Sequence, residues 1–165
     1  MISIEEVGYE QKSVLQNLLE LYKYDFSEFD SDDDINSNGL YGYMFLDHYW
    51  TEDGRYPFFI KVDGKLAGFA LIRNMGAAEE NNVVYSMAEF FVLKKYRRLK
   101  VGQTAAHQLF DQFPGSWKVA QMETNIPAQA FWRKTIDRYT HGNYNEATED
   151  GWEGPIQVFF SASRG

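Results

Sequence analysis

Apolar and polar residues alternate at Ile2-Ser3-Ile4-Glu5-Glu6-Val7, the two-residue period of a strand with one buried side. The period then lengthens. Val14, Leu15, Leu18, Leu19 and Tyr22 fall at helical spacing and define one apolar face, which fades near Phe26. Ser27 to Asp34 is rich in acids and turn formers, and Asn36-Ser37-Asn38-Gly39 prolongs the loop. A short helix is predicted around Leu40 to Trp50. Strand signals follow in quick succession: Pro57 to Val62, a tight turn at Asp63-Gly64, and Lys65 to Arg73. The next run, Val83 to Leu93, is apolar except for Ser86 and Glu89.

From Val101 the helical period returns. Val101, Ala105, Leu109 and Phe113 recur every fourth residue, with Ala106 and Phe110 beside them, which predicts a helix with a broad buried face. Ser116 to Met122 reads as a strand, and Pro127 to Ile136 as a helix with proline in its first turn. Two strands, Tyr139 to Ala147 and Trp152 to Ser161, are joined through Glu149-Asp150-Gly151. No repeat, linker or low-complexity tract interrupts the pattern. One domain over residues 1–165, of α+β (α/β) class, is expected.

Composition narrows the chemistry. With 44% hydrophobic residues the chain of 165 residues has the apolar content of a folded globule. Zero cysteines exclude disulfides, thiolate metal sites and cysteine nucleophiles. A net charge of −8 disfavours general nucleic-acid binding, because phosphates are repelled. No stretch approaches the ~20 apolar residues of a membrane span, and the opening residues lack the basic-then-apolar order of a signal peptide. A cytoplasmic protein without membrane association is the expectation. His48, His107 and His141 show no metal-ligand spacing, so no metal is expected.

Against this acidic background, Lys94, Lys95, Arg97, Arg98 and Lys100 form a basic cluster between the apolar strand and the helix that starts at Val101. A helix N-terminus carries unpaired N–H groups and partial positive charge, so this junction suits an anion. Gly102 would let backbone approach a ligand closely. A solvated basic loop is the plainer alternative. The P-loop pattern G-x-x-x-x-G-K-[ST] is missing, which points away from a nucleoside triphosphate.

The stretch Glu89-Phe90-Phe91-Val92 followed by Tyr96-Arg97-Arg98-Leu99-Lys100-Val101-Gly102-Gln103-Thr104-Ala105 resembles motif A of the GNAT superfamily of N-acyltransferases. In that family a strand enters an R/Q-x-x-G-x-G/A turn whose amides hold the coenzyme A pyrophosphate. Arg97, Lys100 and Gly102 stand at the marked positions, with Lys100 replacing the first glycine. Asn125-Ile126-Pro127-Ala128-Gln129-Ala130-Phe131-Trp132 is similar to the family's downstream N-x-x-A-x-x-F/L-Y motif, which flanks the pantetheine arm. The resemblance implies a mixed, mostly antiparallel central sheet flanked by helices, with acetyl-CoA as cosubstrate. It implies cofactor contacts at Phe91, Val92, Leu93, Arg97, Arg98, Leu99, Lys100, Val101, Gly102, Gln103, Thr104, Asn125, Ala128 and Trp132. Asn125 can equally be a simple helix cap.

Acyl transfer to an amine needs a base, because a free alkylamine is protonated at neutral pH. Glu89, a carboxylate within an apolar strand, is the candidate general base, with a structural salt bridge as its alternative. The resemblance gives the Val92 N–H as oxyanion donor. Trp132 stands where many relatives have a tyrosine acid, and an indole does not release its proton near neutrality, so it is read as core. On the acceptor side the resemblance points to the loop after the first helix, where Glu28 and Asp30 head an acidic, aromatic-rich stretch. That suits a small cationic or peptide amine, although a solvated turn explains the acids as well. The assembly is open, a homodimer included. Two rivals remain: a catalytically silent acyl-CoA-binding sensor or structural protein, and a module for another anionic partner such as RNA or a phosphoprotein.

Overall fold

A computed structural model describes residues 1–79 and 82–162. The strands are β1 (Ile2–Glu6), β2 (Arg55–Val62), β3 (Lys65–Glu79), β4 (Asn82–Val92), β5 (Gly115–Ala120), β6 (Asn145–Glu149) and β7 (Trp152–Ser161). The helices are α1 (Lys12–Phe26), α2 (His48–Thr51), α3 (Val101–Gln112) and α4 (Ile126–Thr140). Among the described residues the seven strands form one sheet in the order β1-β2-β3-β4-β5-β7-β6. Every neighbouring pair is antiparallel except β4 and β5. That pair is joined through α3, since a parallel connection needs a crossover.

Side-chain alternation splits the core in two. Phe58, Ala70, Ile72, Met87, Trp117 and Phe159 face α3 and α4, meeting Leu109, Phe110, Trp132 and Ile136. Phe59, Phe69, Leu71 and Phe91 face α1 and α2, meeting Leu15, Leu18, Leu19 and Tyr49. The mixed, mostly antiparallel sheet with helices on both faces is the architecture expected. At the β2–β3 turn, Asp63 and Gly64 take φ of 50° and 80°, the two left-handed residues a tight hairpin turn requires.

Three elements depart from the sequence reading. The helix expected around Leu40 to Trp50 shrinks to His48–Thr51. Gly39 and Gly42 take positive φ, 77° and 71°, which is not helical backbone, and the Glu20 carboxylate holds the loop by accepting the N–H groups of Tyr41 and Gly42, each at 2.8 Å. α4 continues to Thr140 and ends at His141 with φ 55°, so the strand expected from Tyr139 begins only at Asn145. β3 runs past Arg73 to Glu79.

Candidate active site

Two irregularities in β4 open the sheet at one place. Leu71 pairs with Glu89 but Ile72 pairs with Met87, so Ala88 is an extra residue and the strand bulges there. β4 and β5 pair only from Val84 to Ser86 against Ser116 to Lys118, and beyond that point they part. The Leu93 N–H donates to the Ala67 carbonyl at 2.7 Å. Counting back in alternation, Phe91 bonds toward β3, whereas the N–H and C=O of Phe90 and Val92 face the gap. Consistent with this, Arg97 Nε donates to the Val92 carbonyl at 2.9 Å.

The basic turn lies at the end of the gap. Arg98 and Lys100 both have positive φ, 66° and 60°. Lys100 therefore adopts the backbone shape a glycine would supply, at a conformational cost of about 1 kcal/mol. No side chain caps α3. Thr104 N–H closes the first helical bond to Lys100 at 3.0 Å, which leaves the N–H groups of Val101, Gly102 and Gln103 ahead of the ladder. These free donors and the helix dipole suit an anion. Gly102 has a packing reason as well: a Cβ there would stand 3.0 Å from the Phe131 ring and 3.5 Å from Val92.

The predicted cofactor residues do not all converge through their side chains. Val92, Arg97 to Thr104 and the start of α4 border the gap, whereas Phe91 and Leu93 direct their side chains to the α1 face. Asn125 Oδ1 accepts the Ala128 N–H at 3.1 Å, the cap that is its alternative role. Trp132 is buried, edge-on to Phe90 with ring centres 4.9 Å apart, in the core position its chemistry suggests. Arg97 reaches across to α1, where its guanidinium bonds Asp25 at 2.6 Å. That tie joins the turn to the end of the first helix, and Asp25 carries no signal in the sequence.

Glu89 projects to the opposite face. The bulge leaves Ala88 and Glu89 both toward α1, and Tyr22 Oη donates to Glu89 Oε2 at 2.5 Å. Burial pushes the Glu89 carboxyl above the usual carboxylate range, opposed by the Tyr22 hydrogen bond, the Lys23 charge and Tyr43. Burial and the Glu89 charge push the hydroxyls of Tyr22 and Tyr43 up in turn, and burial does the same to Tyr49. The Tyr49 hydroxyl lies near Tyr43 and is wholly buried, without a hydrogen bond of good geometry among the described residues. None of these three tyrosines stands out in the sequence as a site residue. Tyr22 alone carries a clue, as a hydroxyl on an apolar helix face that must find a partner.

The acidic loop folds over this region. Asp33 pairs with Lys23 at 2.9 Å, and Asp30 accepts the Asp32 N–H at 3.1 Å, while Glu28 is exposed. Thr124 Oγ1 donates to the Phe29 carbonyl at 2.7 Å, which ties the loop to the residue before Asn125. Among the described residues no group of three or more His, Asp or Glu side chains is placed to hold a metal, and no helix is long and apolar enough to cross a membrane. A surface groove of about 640 Å³ between Ile126, Glu146 and Gly154 lies at the β6–β7 end, away from Glu89.

The family model for the acetyltransferase (GNAT) family matches residues 15–136. Solved structures with the same fold include an acetyltransferase from Thermus thermophilus, with TM-score 0.71 and 12% identity over 97% of each chain. A PaiA N-acetyltransferase from Thermoplasma acidophilum in complex with coenzyme A gives TM-score 0.64 and 12% identity over 97% of this chain and 99% of that one. An aminoglycoside acetyltransferase from an uncultured soil metagenomic sample, in complex with sisomicin, gives 0.61 and 16% over 81% and 86%. Comparison with curated proteins gives no match.

Proposed function

The chain belongs to the GNAT family of acetyltransferases, and on that premise we propose that it moves an acetyl group from acetyl-CoA to a primary amine of a small cationic molecule or peptide. Acetyl-CoA-dependent acetyl transfer is the family's general activity; the amine acceptor and the residue roles are our reading. The observation that carries it is the placement of Glu89, hydrogen-bonded to Tyr22, beside the gap into which the Val92 N–H points.

The roles divide along that gap. The amides of Val101 to Gln103, with the cations Arg98 and Lys100, hold the pyrophosphate. The acceptor enters from the α1 face, where Glu89 takes a proton from the ammonium, directly or through water, to free the nitrogen lone pair. The nitrogen bonds to the acetyl carbon, and the Val92 N–H donates to the oxyanion that forms. The carbon–sulfur bond then breaks, the thiolate leaves, and the nitrogen gives up its second proton to water or to the departing thiolate. A raised carboxyl pKa helps here, because a base works best when its pKa approaches the working pH. Trp132, packed in the core, supplies no proton to the sulfur.

The aminoglycoside acetyltransferase among the structural neighbours supports a small-molecule amine. The acidic loop tied to Thr124 supports a cationic one. The buried Trp132 favours a second reading, an acyl-CoA sensor without turnover. Titration calorimetry with coenzyme A, followed by release of free thiol across an amine library, tests both. Binding with thiol release supports the enzyme, binding without release supports the sensor, and absence of binding overturns the proposal.

A further inference from the structure

The basic side chains around the α1 face of the sheet are matched to acids with one exception. Lys23 pairs with Asp33 at 2.9 Å, Arg55 with Glu52 at 2.9 Å, Arg97 with Asp25 at 2.6 Å, and Lys118 with Glu149. Arg73 is the exception: partly buried, it has no ion pair or hydrogen bond among the described residues. It sits directly across from Arg55 in the β2–β3 pair and across from Ser86 in the β3–β4 pair. Directly opposed like charges destabilise a sheet unless something neutralises them. Strand alternation puts Arg73 on the same face as Leu71, Glu89 and Phe91.

A second observation lies at the same spot. The Tyr49 hydroxyl is buried without a hydrogen bond of good geometry, and its ring lies 5.6 Å from the Arg55 guanidinium. Burial first and Tyr43 second govern its ionisation, and the charges of Glu89, Arg55 and Arg73 act on it as well, so it lies near all three. An unmatched guanidinium and a buried hydroxyl whose hydrogen-bonding neighbour is Tyr43, on one face, together describe a place for a bound anion. Glu89 lies opposite Leu71, two residues from Arg73, a separation of about 7 Å along the strand.

We propose that Arg73 and the Tyr49 hydroxyl form a carboxylate subsite of the acceptor cleft, so that the acceptor is an amino acid or short peptide whose amine reaches Glu89 while its carboxylate sits on Arg73. This rests on the acetyl-transfer reading and narrows it. Polyamines and other amines without an acid group lose the second contact. Arginine suits the task because its planar fork binds a carboxylate through two parallel hydrogen bonds. Tyr49 adds one further donor, and the Arg55–Arg73 repulsion falls when the anion arrives.

The experiment compares L-lysine with 1,5-diaminopentane, and L-alanine with ethylamine, pairs that differ by the carboxylate alone. Calorimetry with the wild type in saturating coenzyme A is read first, then thiol release from acetyl-CoA. The carboxylate-bearing member of each pair should bind on the order of 10–100-fold more tightly. Arg73→Met should erase that gap while the affinity for the plain amine stays within about twofold, and Arg73→Lys should restore part of it. Tyr49→Phe should narrow the gap by several-fold. Equal affinity within both pairs in the wild type overturns the subsite and needs no variant. Equal losses for both members in Arg73→Met, with coenzyme A affinity kept, overturn it too. Carboxylate-dependent binding without any thiol release would keep the subsite and reject the transferase reading.

Discussion

On the proposed roles, the two faces of this sheet would recognise their ligands in different ways. On the α3–α4 face the core is a block of aromatics: Phe110, Phe113, Trp117, Trp132 and Phe159 pack against Phe58 and Met87. The groups offered to a ligand there are main-chain N–H groups, from the uncapped start of α3 and the free edge of β4. On the α1–α2 face the offering comes from side chains: Tyr22, Tyr43, Tyr49, Arg73 and Glu89, contributed by two helices, a loop and two strands. Backbone recognition needs only a chain path, and a short motif can encode that path. Side-chain recognition needs distant residues to converge. Cofactor binding and acceptor chemistry should therefore fail separately when each face is altered.

The largest separation is expected from Glu89→Gln. Turnover at neutral pH should fall by ~10²–10⁴-fold while coenzyme A affinity holds, since the side chain faces away from the turn. In the wild type the rate should rise with pH through a carboxyl pKa above the ordinary range, and the variant should lose that limb. Stability moves the other way. A carboxyl whose folded pKa is raised binds its proton more tightly in the folded state, so stability is fully present below the unfolded pKa near ~4.3 and falls as pH rises toward the folded value. Melting curves from pH 4 to 7 should therefore favour the Gln variant increasingly as pH rises. Unchanged turnover and pH profile would return Glu89 to a structural role.

Gly102→Val attacks the other face. A Cβ there meets Phe131 at 3.0 Å, so the start of α3 must shift. Coenzyme A affinity should fall by roughly tenfold or more, with about 1–3 kcal/mol of stability lost to overpacking. Calorimetry that shows wild-type affinity would mean the proposed phosphate site does not depend on this close contact.

A smaller effect sharpens the acceptor side. Glu28→Gln combined with Asp30→Asn should raise the apparent KM for a cationic amine by roughly two- to fivefold at low salt, and less at high salt. Identical kinetics across a salt series would leave those acids as a solvated turn. The smallest effect is Lys100→Gly, which relieves the left-handed conformation at φ 60°. A gain of about 0.5–1 kcal/mol, or about 2 °C in Tm, is expected together with weaker phosphate affinity from the lost charge. A fall in Tm would show that the lysine side chain stabilises the turn.

The sequence alone determined the order of most elements, the sheet class and the basic strand-to-helix junction. Hydrophobic period fixes which face of a strand or helix is buried, and the junction at Arg97 to Thr104 is contiguous in the chain. It also placed Trp132 in the core and offered the cap as a role for Asn125, because a side chain's own chemistry limits what it can do. It failed between Leu40 and Trp50, where Gly42 turns left-handed at φ 71° and Glu20, about twenty residues away on α1, fixes the loop in that path. It also missed where α4 ends, since Tyr139 belongs equally well to helix or strand by pattern. Only the tertiary structure decided that a bulge at Ala88 turns Glu89 toward Tyr22, that Asp25 holds Arg97, and that Arg73, unlike Lys23, Arg55, Arg97 and Lys118, has no acid partner among the described residues. Each of those facts depends on register and on contacts between residues far apart in the chain. Hydrophobic pattern carries no record of either, because the polar residues involved leave the period of their own elements unchanged.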